Sequence, residues 1–350
     1  MKKIYFDMAS TTPINKYVLW HLWTDMFKYY GNPSSLHYEG RKAFNELEKA
    51  RVKIANKLGC KPTEIFFTSG ASESNSWVAK CSRYRLVATN DSHSSLDDFK
   101  FNKQEDVKEK RTQYGEMIAK NILVSYPMIN NETGNLHLFY KNYPYCHVDL
   151  TQALGKINID LSENKYIRFA SASGHKIGAL KGCGILYIRE DEQPYMSALI
   201  CGHQENNLRG GTENTLGIVS FGYAIENAYK NIEKNNNKIA ELKSEIIYEL
   251  SHIKTIKWES HPISNIINIT FNKIDSQTAV QLFDQYGICI SAGSACNSGL
   301  DKPSEVLLAE GYSEEEALRT IRVSLNHKNT VWQTHKFIKI LKLIIDKYDF

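Results

Sequence analysis

Glu64-Ile65-Phe66-Phe67-Thr68-Ser69-Gly70-Ala71-Ser72-Glu73-Ser74-Asn75 passes from four hydrophobic and β-favouring residues to a run of small polar ones. It reads as a buried strand and, at Ser69-Gly70-Ala71-Ser72, the turn that opens a helix. Upstream, Ala43, Leu47, Ala50, Ile54 and Leu58 recur at helical spacing, which predicts a helix over Tyr38 to Leu58. Downstream, short apolar runs return at Ile122-Leu123-Val124, Tyr145-Cys146-His147-Val148 and Ile185-Leu186-Tyr187-Ile188. Short apolar strands alternating with helices argue an α/β fold with a parallel sheet covered on both faces.

From Gly217 a second helical pattern runs through Ala228, Ile232, Ile239 and Leu242 towards Leu250. Its middle, Glu233-Lys234-Asn235-Asn236-Asn237-Lys238, has no apolar residue, so it is either a solvated bridge or a break. A strand at Asn265 to Phe271, a helix at Ser276 to Tyr286 and a short strand at Cys289-Ile290 follow, then a glycine-flanked loop and further helices. This is the pattern of a second, smaller α+β domain.

The chain has 350 residues, 43 basic against 39 acidic, for a formal net charge of +4. Mixed signs of that size argue against a nucleic-acid surface. After Met1-Lys2-Lys3, Asp7 and Ser10-Thr11-Thr12 interrupt any export signal. The apolar stretch Phe337 to Ile345 is too short to span a membrane and carries two lysines. The seven cysteines are odd in number and none pairs as Cys-x-x-Cys, which points to a reducing cytoplasm and away from a disulfide or zinc framework.

A handful of side chains could carry chemistry. Lys176, in Ser173-Gly174-His175-Lys176, offers an amine able to hold a carbonyl cofactor. Cys296, in Gly293-Ser294-Ala295-Cys296, offers a thiol without large apolar neighbours to bury it. The turn within Thr68 to Asn75 is either a phosphate cradle at a helix N-terminus or an ordinary capped turn. Asp149 closes a strand, where it either meets a pyridinium nitrogen or caps the segment from Thr151. His93, in a polar turn after Leu86-Val87-Ala88, stacks on a ring, shuttles a proton or lies on the surface. Arg209, beside Gly210-Gly211-Thr212, is a phosphate ligand or part of a plain turn. Arg322, among apolar neighbours in a strand, pairs internally or grips a carboxylate.

Taken in order, these stretches resemble the cysteine desulfurases of the class V aminotransferase group. The resemblance rests on Tyr5-Phe6-Asp7 with Thr11-Thr12-Pro13, Gly31-Asn32-Pro33-Ser34-Ser35-Leu36-His37, Phe67 to Asn75, Asn130-Asn131-Glu132-Thr133-Gly134 and His147 to Gln152. Ser173 to Lys176, Leu208 to Asn214, Gly293 to Cys296 and Ile321 to Leu325 complete it. It implies a fold-type I transferase: a large domain with a mostly parallel seven-stranded sheet and a smaller α+β C-terminal domain. The corresponding division is an N-terminal segment 1–15 packing with the small domain, a cofactor domain 16–228 and a small domain 229–350 carrying the cysteine loop.

The resemblance further implies pyridoxal 5'-phosphate held by Lys176, with Asp149 on its ring nitrogen, Gln152 and Asn131 on its phenolic oxygen, and His93 against the ring. Ala71, Ser72, Ser173 and His175 would hold the phosphate, with Thr212 reaching in from the partner of a homodimer. Arg322 and Asn32 would bind the carboxylate of L-cysteine, and Cys296 would take the sulfur as a persulfide for an acceptor protein serving iron–sulfur clusters or thiolation. Departures are Ala179-Leu180 where the family has Gly-Pro, Cys201-Gly202-His203 where it has a glycine run, and Asn326-His327-Lys328 where it has Gly-Arg-aromatic. Two other readings are a selenocysteine lyase or other class V enzyme, and a non-catalytic dimer in sulfur trafficking. Retention of Lys176, Asp149, His93 and Cys296 together favours catalysis.

Overall fold

The computed structural model describes residues 3–100, 121–138, 143–293 and 302–349. Its strands are β1 (Ile4–Tyr5), β2 (Ile65–Thr68), β3 (Arg85–Ala88), β4 (Ile122–Pro127), β5 (Cys146–Asp149) and β6 (Ile167–Ser173). They continue with β7 (Gly184–Ile188), β8 (Lys257–Glu259), β9 (Ile266–Thr270), β10 (Ile288–Cys289) and β11 (Thr320–Ser324). The chain divides into two units: Pro13–Met128 with His137–Lys230, and Met1–Thr12 with Ile129–Leu136 and Asn231–Phe350.

In the larger unit, one sheet runs in the order β2-β7-β6-β5-β4-β3. Strands β3, β4, β5 and β6 are mutually parallel, and β7 is antiparallel to both of its neighbours, β6 and β2. Six strands are found among the described residues where seven were expected. Among the described residues, the sheet goes on beyond β3 as an isolated parallel bridge between Ala88 and Lys100. All four residues of β2 and all six of β4 are buried, as strands covered on both faces must be.

The helix Tyr38–Leu58 has the expected span, and both ends have physical causes. The His37 side chain accepts from Gly40 N–H at its start, and Gly59 ends it in the left-handed conformation (φ 62°). It lies on the helix Thr215–Lys230, where Gly222 leaves no room for a side chain: a Cβ there would sit 2.9 Å from that of Ala50.

In the smaller unit, β11, β9 and β8 form an antiparallel sheet, and β1 pairs in parallel with β10. Its core gathers Phe6, Ile269, Phe283, Ile321, Phe337 and Leu341, with Phe283 and Phe337 stacked at 5.3 Å. The polar run Glu233 to Lys238 is helical, inside the helix Ile232–Leu250 and braced by the pair Lys238–Glu241 (2.9 Å). The interruption falls instead at Asn231 (φ −115°, ψ 14°), between that helix and Thr215–Lys230.

The segment Ile129–Leu136, inside the stretch assigned from sequence to 16–228, belongs to the smaller unit. Asn268 Nδ2 donates to Glu132 O (3.2 Å) and Arg322 Nη1 to Asn131 O (2.6 Å). Gly134 is pressed on Ser264, where a Cβ would come within 2.1 Å of its Oγ. Among the described residues no helix is long and apolar enough to cross a membrane.

Candidate active site

Strand β5 delivers Asp149 to its carboxyl end, 8% exposed. Asp149 Oδ1 accepts from Thr151 N–H (2.9 Å), and Oδ2 accepts from Asn75 Nδ2 (3.0 Å). The same Asn75 amide donates to Ser95 Oγ (3.1 Å), which meets His93 Nδ1 at 3.0 Å. His93 and Asp149 are thereby linked through two intervening side chains. Because His93 Nδ1 accepts from the Ser95 N–H (3.1 Å), the proton of the neutral ring sits on Nε2. Asn75 Oδ1 and Thr151 Oγ1 are buried without a hydrogen-bond partner among the described residues, so polar capacity is left open on both sides of the carboxylate.

Behind Asp149, two residues back on β5, His147 is fully buried. Ser125 Oγ lies 2.7 Å from its Nδ1 and Ser171 Oγ 2.8 Å from its Nε2, so hydroxyls on β4 and β6 satisfy both nitrogens. Burial pushes its pKa down to about 4 against the opposing pull of Asp149, keeping the imidazole neutral.

The turn after β2 opens the helix Ala71–Cys81, and Gly70 gives it no side-chain cap. A Cβ on Gly70 would lie 3.7 Å from Ser173 Oγ, so the turn and the end of β6 adjoin. Ala71, the exposed Ser72 and Ser173 are therefore disposed around a helix N-terminus, a setting that favours an anion. Glu73 fastens the turn, accepting from Ser69 N–H (2.8 Å) and from Arg209 Nε (2.9 Å). Arg209, the alternative phosphate ligand, is thus committed to a carboxylate.

Lys176 ends the single turn Gly174–Lys176 that follows β6. Gly174 is required there, since a Cβ would come within 3.0 Å of both Ala179 and Phe221. Burial first, then the charges of Lys176 and Lys181, pushes His175 down to about 4, so a neutral imidazole adjoins the amine. Ala179-Leu180 is accommodated: the Leu180 N–H, which proline would lack, donates to Ser220 Oγ (3.0 Å).

The remaining expected residues are more scattered. Gln152 is buried, its Oε1 accepting from Lys156 (3.0 Å). Thr212 is exposed, and Asn32 turns its Oδ1 back on Ser34 N–H (2.9 Å). Asn131 and Arg322 lie in the smaller unit. There Arg322, 1% exposed, donates to Asn131 O, Asp7 Oδ1 (3.0 Å) and Ser10 Oγ (2.7 Å). Cys296 lies outside the described residues.

Sequence reasoning missed Asn75 and Ser95 as the links between His93 and Asp149, and the serines flanking His147. The only available signal was polarity inside otherwise apolar strands, at Ser125 and Ser171. That signal acquires meaning only through the register Ser125↔His147 and Asp149↔Ser171.

A model of the family described as Aminotransferase class-V matches residues 4–337. The cysteine desulfurase IscS of Methanosarcina thermophila is 31% identical over 379 residues, 99% of this chain and 93% of that protein. The cysteine desulfurase NifS of Azotobacter vinelandii is 30% identical over 376 residues, again 99% and 93%. Among solved structures, the NifS-like protein from Rickettsia africae gives a TM-score of 0.85 at 31% identity, covering 98% of this chain and 99% of that one. A structure of SspA in complex with cysteine gives 0.73 at 29% identity, covering 93% and 100%.

Proposed function

This chain belongs to the aminotransferase class-V family, and from that premise we propose that it is a pyridoxal-phosphate-dependent cysteine desulfurase. The observation that carries the reading is the chain Asp149–Asn75–Ser95–His93 at the carboxyl end of parallel strands, together with an amine, Lys176, just past β6. Ligands of α/β sheets bind at that end.

The residues present fit the cofactor. A carboxylate braced by an amide suits a pyridine nitrogen, an uncapped helix N-terminus beside Ser173 suits a phosphate, and Lys176 suits a carbonyl. The open polar capacity of Asn75 Oδ1 and Thr151 Oγ1 marks the place as one built for a polar guest. When bound, pyridoxal phosphate supplies an electron sink that lets the Cα proton leave and the Cβ–S bond break.

Each residue then has a task. Lys176 removes the Cα proton of L-cysteine and returns a proton to the product. Asp149 keeps the ring nitrogen protonated, while Gln152 and Asn131 serve the phenolic oxygen. His93 presents an Nε2–H for proton transfer. Ala71, Ser72, Ser173 and His175 hold the phosphate, joined by Thr212 from a second copy in a homodimer. Arg322, with Asn32, binds the substrate carboxylate. Cys296 attacks the substrate sulfur as a thiolate: the S–S bond forms, the Cβ–S bond breaks, and the carbon takes up a proton to leave as L-alanine. The persulfide then passes to an acceptor protein. The six described cysteines are all free, which supports a reducing compartment, the cytoplasm.

The deciding experiment incubates the pyridoxal-phosphate-loaded protein with L-cysteine and follows alanine and persulfide, with Lys176→Ala and Cys296→Ala alongside. The expected result is alanine from the wild type and at least about a thousandfold loss in Lys176→Ala. Cys296→Ala is expected to form no persulfide. A loaded wild type that makes no alanine would sink the reading.

A further inference from the structure

Arg322 is among the largest fully buried side chains, and its guanidinium is already engaged. Nη1 donates to Asn131 O (2.6 Å), and Nη2 to both Asp7 Oδ1 (3.0 Å) and Ser10 Oγ (2.7 Å). Nε is buried without a partner among the described residues. A guanidinium carries five donors in a rigid fork, and a carboxylate taken by two parallel bonds uses adjacent nitrogens. Those edges are Nε with Nη2, or Nη1 with Nη2. Both need Nη2, and its two hydrogens are the ones spent on Asp7 and Ser10.

Asp7 is not a casual neighbour. Its backbone bridges to Ser324 on β11, Ala9 N–H donates to Ser324 Oγ (2.9 Å), and Ser10 Oγ donates to Asp7 Oδ1 (2.7 Å). The carboxylate is held against Arg322 by the strand that carries Arg322 itself. An arginine this deeply buried would be costly without a counter-charge, and Asp7 supplies it.

We propose that Asp7, assisted by Ser10, competes with the substrate for the carboxylate seat on Arg322 and so determines how tightly the amino acid binds. This rests on the reading of Arg322 as the residue that takes the substrate carboxylate. Binding then exchanges one carboxylate partner of Arg322 for another, and does not neutralise a bare cation. The exchange weakens substrate and product alike, because L-cysteine and L-alanine carry the same group.

The test is Asp7→Asn, which removes the charge while keeping an acceptor for Ser10 and Arg322. In the cofactor-loaded protein, the KM for L-cysteine and the Kd for L-alanine from calorimetry are both expected to fall by about fivefold. The kcat is expected to move by less than about twofold. Ser10→Ala, which frees one Nη2 hydrogen without altering charge, is expected to lower both constants by about twofold. It keeps the test open should Asp7→Asn fail to fold. A rise in either constant in Asp7→Asn would show that Asp7 only orients Arg322, and unchanged constants would show no competition; either result overturns the proposal. Arg322→Gln separates this from the underlying reading: if that variant binds L-alanine as well as the wild type, Arg322 is not the carboxylate residue and both ideas fall.

Discussion

The two units hold their functional groups in opposite ways. In the larger one, a single carboxylate, Asp149, sits among neutral partners: the Asn75 amide, the Ser95 hydroxyl and a His147 kept uncharged between two serines. In the smaller one, three buried side chains, Arg322, Glu132 and Lys243, are of charged type. Arg322 faces Asp7, Glu132 accepts from Ser304 Oγ (2.6 Å), and Lys243 donates to the carbonyls of His261 and Ser264. Burial drives that lysine down to about 8. A neutral network owes its stability to completeness, one hydrogen bond at a time. A charged one depends on each ion keeping its partner, so its single deletions cost more.

The sharpest way to break this contrast is Arg322→Met. It strands Asp7 beside an apolar side chain and is expected to cost about 3–5 kcal/mol in denaturant unfolding. Second comes the acid limb of stability. Burial lowers His147 from its ordinary 6.5 to about 4, so on acidification the unfolded chain takes up a proton before the folded one does. The stability from this group is complete above about pH 6.5 and is lost as pH falls towards 4, by about 3 kcal/mol across that window. His147→Gln should flatten that limb in melts at stepped pH, and a limb of unchanged slope would remove His147 as its cause.

Asn75→Ala should cost less than the arginine change, about 1–2 kcal/mol, because the groups it abandons are one hydroxyl and one carboxylate at the rim of the sheet. Should it equal Arg322→Met in the same assay, the proposed difference between the units is wrong. The smallest effect is expected at Glu132→Gln, where the amide oxygen still accepts from Ser304; its loss should stay within about 0.5 kcal/mol, against about 1 kcal/mol or more for Glu132→Ala. Equal losses would mean that the charge of Glu132 matters, and not its hydrogen bond.

Much of this protein follows from short-range pattern. The helix Tyr38–Leu58 was readable to its ends because a 3.6-residue repeat, a capping side chain at His37 and a left-handed Gly59 lie within the helix or beside it. Strand β5 ending on Asp149 was readable for the same reason: backbone geometry over a few residues dictates it. The polar run at Glu233 was ambiguous, since a helix exposed to water needs no apolar face to continue.

What could not be read is what joins residues far apart in the chain. Asp7 and Arg322 are separated by 315 positions, and Ser125, His147 and Ser171 come from three strands. Nothing local to Ile129–Leu136 says that Asn268 and Arg322 will claim its carbonyls and draw it into the smaller unit. The identity of each element is written in neighbouring residues, because periodicity and capping act over one or two turns. Which polar groups end up paired depends on strand register and on how elements pack, and those are settled only when the whole chain has buried its apolar faces together.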